Sequence, residues 1–211
     1  MQESLLIELQ LFPCLQYLSK WQGFSVILEG EEHYRKGSFR NRYHLATAQG
    51  PLALSVPLEK GKHQQLPVRE VKIDYKKDWP KQHWRTIETA YGKAPFFDYY
   101  GEEVRAILEQ RPSHLFELNW AALQFLLEHF QLAQPSFSQE FSHQFEQGVD
   151  FRNQIRPQQQ AKTKDPYLEL IPYPQLFEDR LGFLPHLSAL DLLFCMGPEA
   201  PYYLAQYFKT P

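Results

Sequence analysis

The chain has 211 residues, a formal charge of −3 and 43% hydrophobic residues. That hydrophobic content excludes a disordered chain, and the slightly acidic balance argues against a protein that coats nucleic acid. The length corresponds to about 1.4 average domains, so one domain over 1–211 with embellishing loops is expected. The composition stands out in its aromatics: 16 Phe, 12 Tyr and 4 Trp, against only 10 Gly. The two cysteines, Cys14 and Cys195, are too few for a disulfide framework or a zinc site, and free thiols are expected. The N-terminus has no basic n-region, and no apolar run approaches the roughly 18 residues of a membrane helix. A cytoplasmic protein is the expectation.

Leu5 to Phe12 reads as a short apolar strand. After Pro13, the residues Leu15, Leu18 and Trp21 fall near helical spacing, and Gly23 stops that helix. Phe24 to Leu28 is a continuous apolar run of buried-strand type. Together they form a compact β-loop-α-β unit with parallel neighbouring strands. Residues 42–58 form a hairpin turned by AQGP, and Val68 to Tyr75 alternates as a half-buried strand does, making 42–75 a β-rich extension. KGKHQQLP between them is an exposed loop. Helices follow over Trp79 to about Tyr91, Pro95 to Gln110 and Leu115 to Leu132, the first with Asp78 as its cap. Pro135 to Phe141 reads as a strand. Residues 142–166 read as one long polar loop, a lid or a disordered segment. Residues 168–172 suit a short strand. Ser188 caps a helix with Asp191 at its third position, and PEAPYYLAQYF closes the chain as a helical segment. The fold class is α/β: a mostly parallel central sheet flanked by helices, with a β-hairpin extension and a C-terminal helical segment.

Four segments carry candidate chemistry. In HYRKGSFRNRYH an extended run from Lys36 puts Lys36, Ser38, Arg40 and Arg42 on one side. With Arg35 and Asn41 these form a candidate anion site, because guanidinium forks and an ammonium suit phosphate or carboxylate. The same charges also suit a solvated edge strand. In HWRTIETAYGKAPFF, His83 is a candidate general base and Glu88 its orienter, with aromatic packing as the structural alternative. Their five-residue spacing and the absence of HExxH leave no metal site. In VDFR, Asp150 and Arg152 flank a Phe that anchors the loop, either over a substrate or as a local salt bridge. Tyr91, Lys93, Tyr173 and Asp191 are supporting positions. His186, Ser188 and Asp191 do not make a triad, since Ser188 and Asp191 suit helix capping and no GxSxG elbow exists. No P-loop or dinucleotide fingerprint is present.

These segments, in this order, resemble the WbqC-like family: LFPCLQYLSKW, EHYRKGSFRNRYHL, LSVPLEKG, WPKQHWRTIETAYGKAPFFDYY, VDFR and YPQLFEDRLGFLPHLSALDLLFCMGPEA. The resemblance covers nearly the whole chain. It departs at Cys14, where the family usually has a second proline or another residue, and at Cys195, where an Asn is common. The resemblance implies a bacterial group transferase of polysaccharide or O-antigen type, adding an amino acid such as glycine to an amino sugar. Its substrate would be a small-molecule or carrier-linked anion, and its cofactors are left open. A non-catalytic assembly protein with an aromatic-rich surface is the alternative. Ligands of open α/β sheets bind outside the carboxyl ends of the strands. Arg40, Arg42, His83 and Asp150 are therefore expected to meet in one cleft there.

Overall fold

The computed structural model describes residues 2–59, 66–157 and 165–210. Its centre is a four-stranded parallel sheet in the order β5-β2-β1-β6. The strands are β1 (Ser4–Glu8), β2 (Ser25–Glu29), β5 (Ser136–Phe137) and β6 (Gly148–Asp150). Between β1 and β2 the chain makes α1 (Leu15–Leu18) and a 3-10 turn over Ser19–Gln22. That short crossover returns β2 beside β1 in parallel, with Glu8 opposite Glu29. Leu5, Ile7, Val26 and Leu28 are buried on one face of the sheet, as the period-2 rule requires.

An antiparallel hairpin follows: β3 (Arg42–Thr47) and β4 (Gly50–Ser55). Its tight turn needs a positive φ, and Gly50 supplies it at 111°. Three helices come next: α2 (Trp79–Tyr91), α3 (Phe97–Glu109) and α4 (Leu115–His129). The apolar stripe of α2, including Trp79, Trp84, Ile87 and Tyr91, packs against β3 and α3. The C-terminal part contains α5 (Glu178–Leu181), α6 (Ala189–Met196) and α7 (Ala200–Gln206). The fold is thus α/β, with a parallel sheet, a hairpin and C-terminal helices.

Several elements differ from the sequence expectation. The segment Val68–Tyr75 is a 3-10 turn over Val68–Glu70 followed by isolated bridges, Lys72 to His114 and Ile73 to Leu58. Its alternation reflects burial of Val71 and Ile73, without a long partner strand. The polar loop at 142–166 holds β6, hydrogen-bonded to β1. Residues 168–172 contribute one bridge, Leu168 to Phe208. Asp78 does not cap α2 with its side chain; it pairs with Arg111 instead. Ser188 does cap α6, accepting from the Leu190 amide at 3.3 Å. Asp191 looks inward rather than back to the cap. Most of the KGKHQQLP loop (60–65) lies outside the described residues, as does 158–164.

Candidate functional site

The carboxyl edge of the parallel sheet is built from charged residues that terminate apolar strands. Glu8 ends β1 and Glu29 ends β2, both buried. Glu8 accepts from Gln10 Nε2 at 2.8 Å and from the Asn153 amide at 2.7 Å. Glu29 accepts from Ser138 Oγ at 2.7 Å, the Glu31 amide at 2.9 Å and Arg152 Nη1 at 2.9 Å. Beside them Arg40 makes a fork to Glu32, with Nε–Oε1 at 2.7 Å and Nη2–Oε2 at 2.6 Å. Arg40 Nη2 also donates to Asn153 Oδ1 at 3.1 Å. Asn153 sits at φ 60°, a left-handed conformation its short polar side chain tolerates.

Arg152 is the second organising cation. It grips Asp150 at 3.0 and 2.6 Å, donates to the Ser142 carbonyl at 2.7 Å and lies 5.3 Å from the Phe141 ring centre. Partial burial pushes the Asp150 carboxyl up, but the Arg152 hydrogen bonds outweigh it and hold the group below the ordinary range. The loop 138–147 is thereby tied to the strand ends, which is what positions the cleft.

Above this frame lies a cleft of about 600 Å³. Its lining comes from two segments more than a hundred residues apart: Glu32, His33 and Arg35 after β2, and Phe141, His143, Asp150, Arg152, Asn153, Gln154 and Arg156 around β6. The two acids in the lining are already ion-paired, Glu32 to Arg40 and Asp150 to Arg152. Among the described residues Arg35 makes no ion pair, and Arg156 spends only its Nε, on the Asn153 carbonyl at 2.7 Å. Among the described residues the mouth therefore holds two guanidinium groups and two imidazoles without acid partners. Such a mouth can hold phosphate oxygens with charge-assisted hydrogen bonds.

The residues singled out in the sequence fall into three groups. Arg35, Asp150 and Arg152 line the cleft, and Arg40 lies directly beneath it. Lys36 is exposed in the same turn. The extended run from Lys36 does not form: Gly37 has φ 71° and Ser38 Oγ donates to the Arg35 carbonyl at 2.7 Å, so the chain turns and buries Arg40. Asn41 serves the hairpin, donating to the Val56 carbonyl at 2.9 Å. Arg42 is half-buried on β3, its Nε without a partner among the described residues.

The second group lies under the hairpin, and His83 is not brought to the cleft. It is buried against Trp79 and Tyr43, with Nδ1 3.1 Å from the Tyr43 hydroxyl, and burial pushes its imidazole down to about 4. Glu88 is exposed on α2 and does not join it. Lys93 is exposed just beyond α2. The third group is interior. Asp191 on α6 is fully buried and accepts from Tyr91 at 2.7 Å, Tyr173 at 2.7 Å and Gln175 at 2.9 Å. Tyr91 also accepts from the Ala46 amide at 2.9 Å, so this network ties α2, β3 and α6 together.

Sequence reasoning missed Glu8, Glu29, Glu32, His33, His143, Asn153 and Arg156. One signal was available: Glu8 and Glu29 are the acidic ends of two apolar strands, at the edge where such sheets bind ligands. Neither cysteine forms a disulfide and both are buried, and burial pushes the Cys14 thiol up and Cys195 to about 12. Among the described residues no group of three His, Cys, Asp or Glu side chains is placed to hold a metal ion. Also among them, no helix is long and apolar enough to cross a membrane.

A strand-edge cleft of this build sits on a chain that belongs to the WbqC-like protein family, whose model matches residues 10–150. That span contains β2, the basic turn, the hairpin, α2 to α4, β5 and β6. A relative in Mycobacterium tuberculosis, named uncharacterized protein Rv1507c, is 28% identical over 222 residues, covering 87% of this chain and 92% of the relative. No solved structure matches the chain.

Proposed function

We propose that the protein is an enzyme that binds a phosphate-bearing, sugar-linked or carrier-linked substrate in the strand-edge cleft and transfers a group in polysaccharide-type biosynthesis. The observation that carries the reading is the surplus of cations at the mouth: Arg35 and Arg156 stand over acids that are already paired. Arg35 and Arg156 hold the phosphate oxygens. His33 and His143, on the same rim, supply the proton acceptor. The nucleophile's lone pair forms the new bond and its proton passes to an imidazole. The leaving group departs with the electron pair of the broken bond. This reading moves the base from His83, which is buried away from the cleft, to the rim.

A concave site with convergent polar groups supports an enzyme over an assembly protein. The most exposed aromatics, Tyr99 on α3 and Tyr202 on α7, stand on separate helices. The test is a thermal-shift screen with nucleotide sugars, aminoacyl adenylates and coenzyme A. A bound ligand raises the melting temperature by mass action, and Arg35→Ala should abolish that rise. An equal rise in the Arg35→Ala variant would move the site elsewhere.

A further inference from the structure

The cleft does not end at Gln154. Asp150 and Gln154 line it on one side and line a second, smaller cavity of about 190 Å³ on the other. The smaller cavity is walled by Val149, Phe151, Pro166 and Tyr167, with Gln16 and Asp165 also in its lining. Its character differs from that of the cleft: ring and aliphatic carbon with carboxylates and carboxamides, and no guanidinium among the described residues. The polar groups there are also arranged. Lys20 is buried and pairs with Asp165 at 2.6 Å, its Nζ 5.0 Å from the Phe151 ring centre and 5.9 Å from that of Tyr167. Asp165 accepts from Gln16 Nε2 at 2.9 Å, which fixes the orientation of that carboxamide. Gln16 Oε1 is left buried with no partner among the described residues. Gln154 spends its backbone amide on the Phe151 carbonyl at 3.2 Å and is otherwise exposed between the two cavities.

Size decides what such an annex takes. A volume of 190 Å³ is below the roughly 300–1,000 Å³ of sites that hold a whole drug-sized ligand. It suits one planar ring system, and it cannot take the long chain of a lipid carrier. Rings gain from aromatic walls, and carboxamides read the hydrogen-bonding edge of a base. From this adjacency we infer that the small cavity is a nucleobase subsite, so that the substrate is a nucleoside diphosphate conjugate with its phosphates in the cationic cleft. The inference rests on the proposed function and narrows it: the sugar is carried by a nucleotide rather than by a lipid. In this arrangement Gln154 stands at the junction of base and phosphates, and Gln16 meets a ring N–H donor.

The test is calorimetric titration of the full chain with uridine and guanosine diphosphates, inorganic pyrophosphate and farnesyl diphosphate. At least one nucleoside diphosphate should bind about tenfold or more tighter than pyrophosphate. Tyr167→Ala and the cavity-filling Val149→Phe, both at residues that line the small cavity and not the cleft, should erase that difference while pyrophosphate binding stays as in the wild type. Melting curves check that both variants are folded, and Tyr167→Ala, at a half-buried position, keeps the test open if Val149→Phe is not. Nucleoside diphosphates that bind no better than pyrophosphate overturn the base subsite and leave the anion cleft standing. Tighter binding of farnesyl diphosphate than of either nucleotide replaces the nucleotide by a lipid carrier. Failure of every anion to bind removes both the cleft and its annex.

Discussion

Arg40 and Glu32 meet in a two-pronged ion pair in the interior, with side-chain exposures of 0% and 5%. The pair lies under the cleft and fixes the turn between β2 and β3, with Asn153 as its link to β6. Two buried charges compensate each other only while both are present. Arg40→Met should therefore destabilise the protein by about 3–5 kcal/mol in urea unfolding, as removal of one partner of a buried pair does. The double change Arg40→Met with Glu32→Met should be less damaging than the sum of the singles. A loss below about 1 kcal/mol for Arg40→Met would show an exposed-type pair instead.

His83 gives the protein a pH dependence of known sign. Burial holds its imidazole at about 4, below the ordinary 6.5. Between those values the unfolded chain binds a proton that the folded chain excludes, so stability rises with pH across the window. The contribution is complete above about pH 6.5 and is lost as pH falls towards 4, amounting to up to about 3 kcal/mol. Urea midpoints at pH 4.5 and 7.5 measure it. His83→Phe should reduce the difference between the two, and an unchanged difference would place the titration elsewhere. Pyrophosphate affinity should not follow His83→Phe, because the residue does not line the cleft.

Asp191 is the interior anion that three donors satisfy. Tyr91→Phe removes one charge-assisted hydrogen bond and leaves the Ala46 amide without its acceptor. Tyr173→Phe removes the first kind of contact and the 3.2 Å bond from Gln175 Nε2, which keeps its bonds to Asp191 and the Leu184 carbonyl. Losses of about 2–3 and about 1.5–2 kcal/mol are expected, in that order. Equal and negligible losses would mean that the network is wetter than its burial indicates.

Gly148 couples the sheet to the cleft. A Cβ there would stand 2.0 Å from the Ser4 carbonyl oxygen, a backbone atom that cannot swing aside. Gly148→Ala should push β6 from β1 and carry Asp150, Arg152 and Asn153 with it. Overpacking of this kind costs about 1–3 kcal/mol. Anion affinity should fall with it, whereas a destabilised variant with unchanged affinity would uncouple strand and site.

The same residue explains what the sequence could and could not show. The helix α2 was legible end to end, because Trp79, His83, Trp84, Ile87 and Tyr91 repeat at helical spacing. The β1–β2 pair was legible from two short apolar runs around a compact crossover. Strand β6 was not, because Gly-Val-Asp has poor strand propensity and only one apolar residue. Its glycine is needed by the close approach to Ser4, and its place beside β1 is a matter of topology. The cleft was half legible for the same reason. Arg35, Asp150 and Arg152 were found from local charge. His33, His143 and Arg156 become neighbours only when the segments after β2 and around β6 meet. The local pattern suggests an extended strand that offers Arg40 to an anion, whereas Gly37 turns the chain and buries the guanidinium against Glu32.

The central claim is that Arg35 and Arg156 make the mouth of the cleft an anion site. Titration calorimetry with inorganic pyrophosphate tests it most directly, comparing wild type, Arg35→Ala with Arg156→Ala, and Arg105→Ala. The last removes one such charge from α3, where Arg105 pairs with Glu102 and Glu109. The account predicts saturable binding in the wild type, unchanged binding in Arg105→Ala, and a loss of about tenfold or more in the double variant. Wild-type protein that does not bind, or a double variant that binds as tightly, would contradict it.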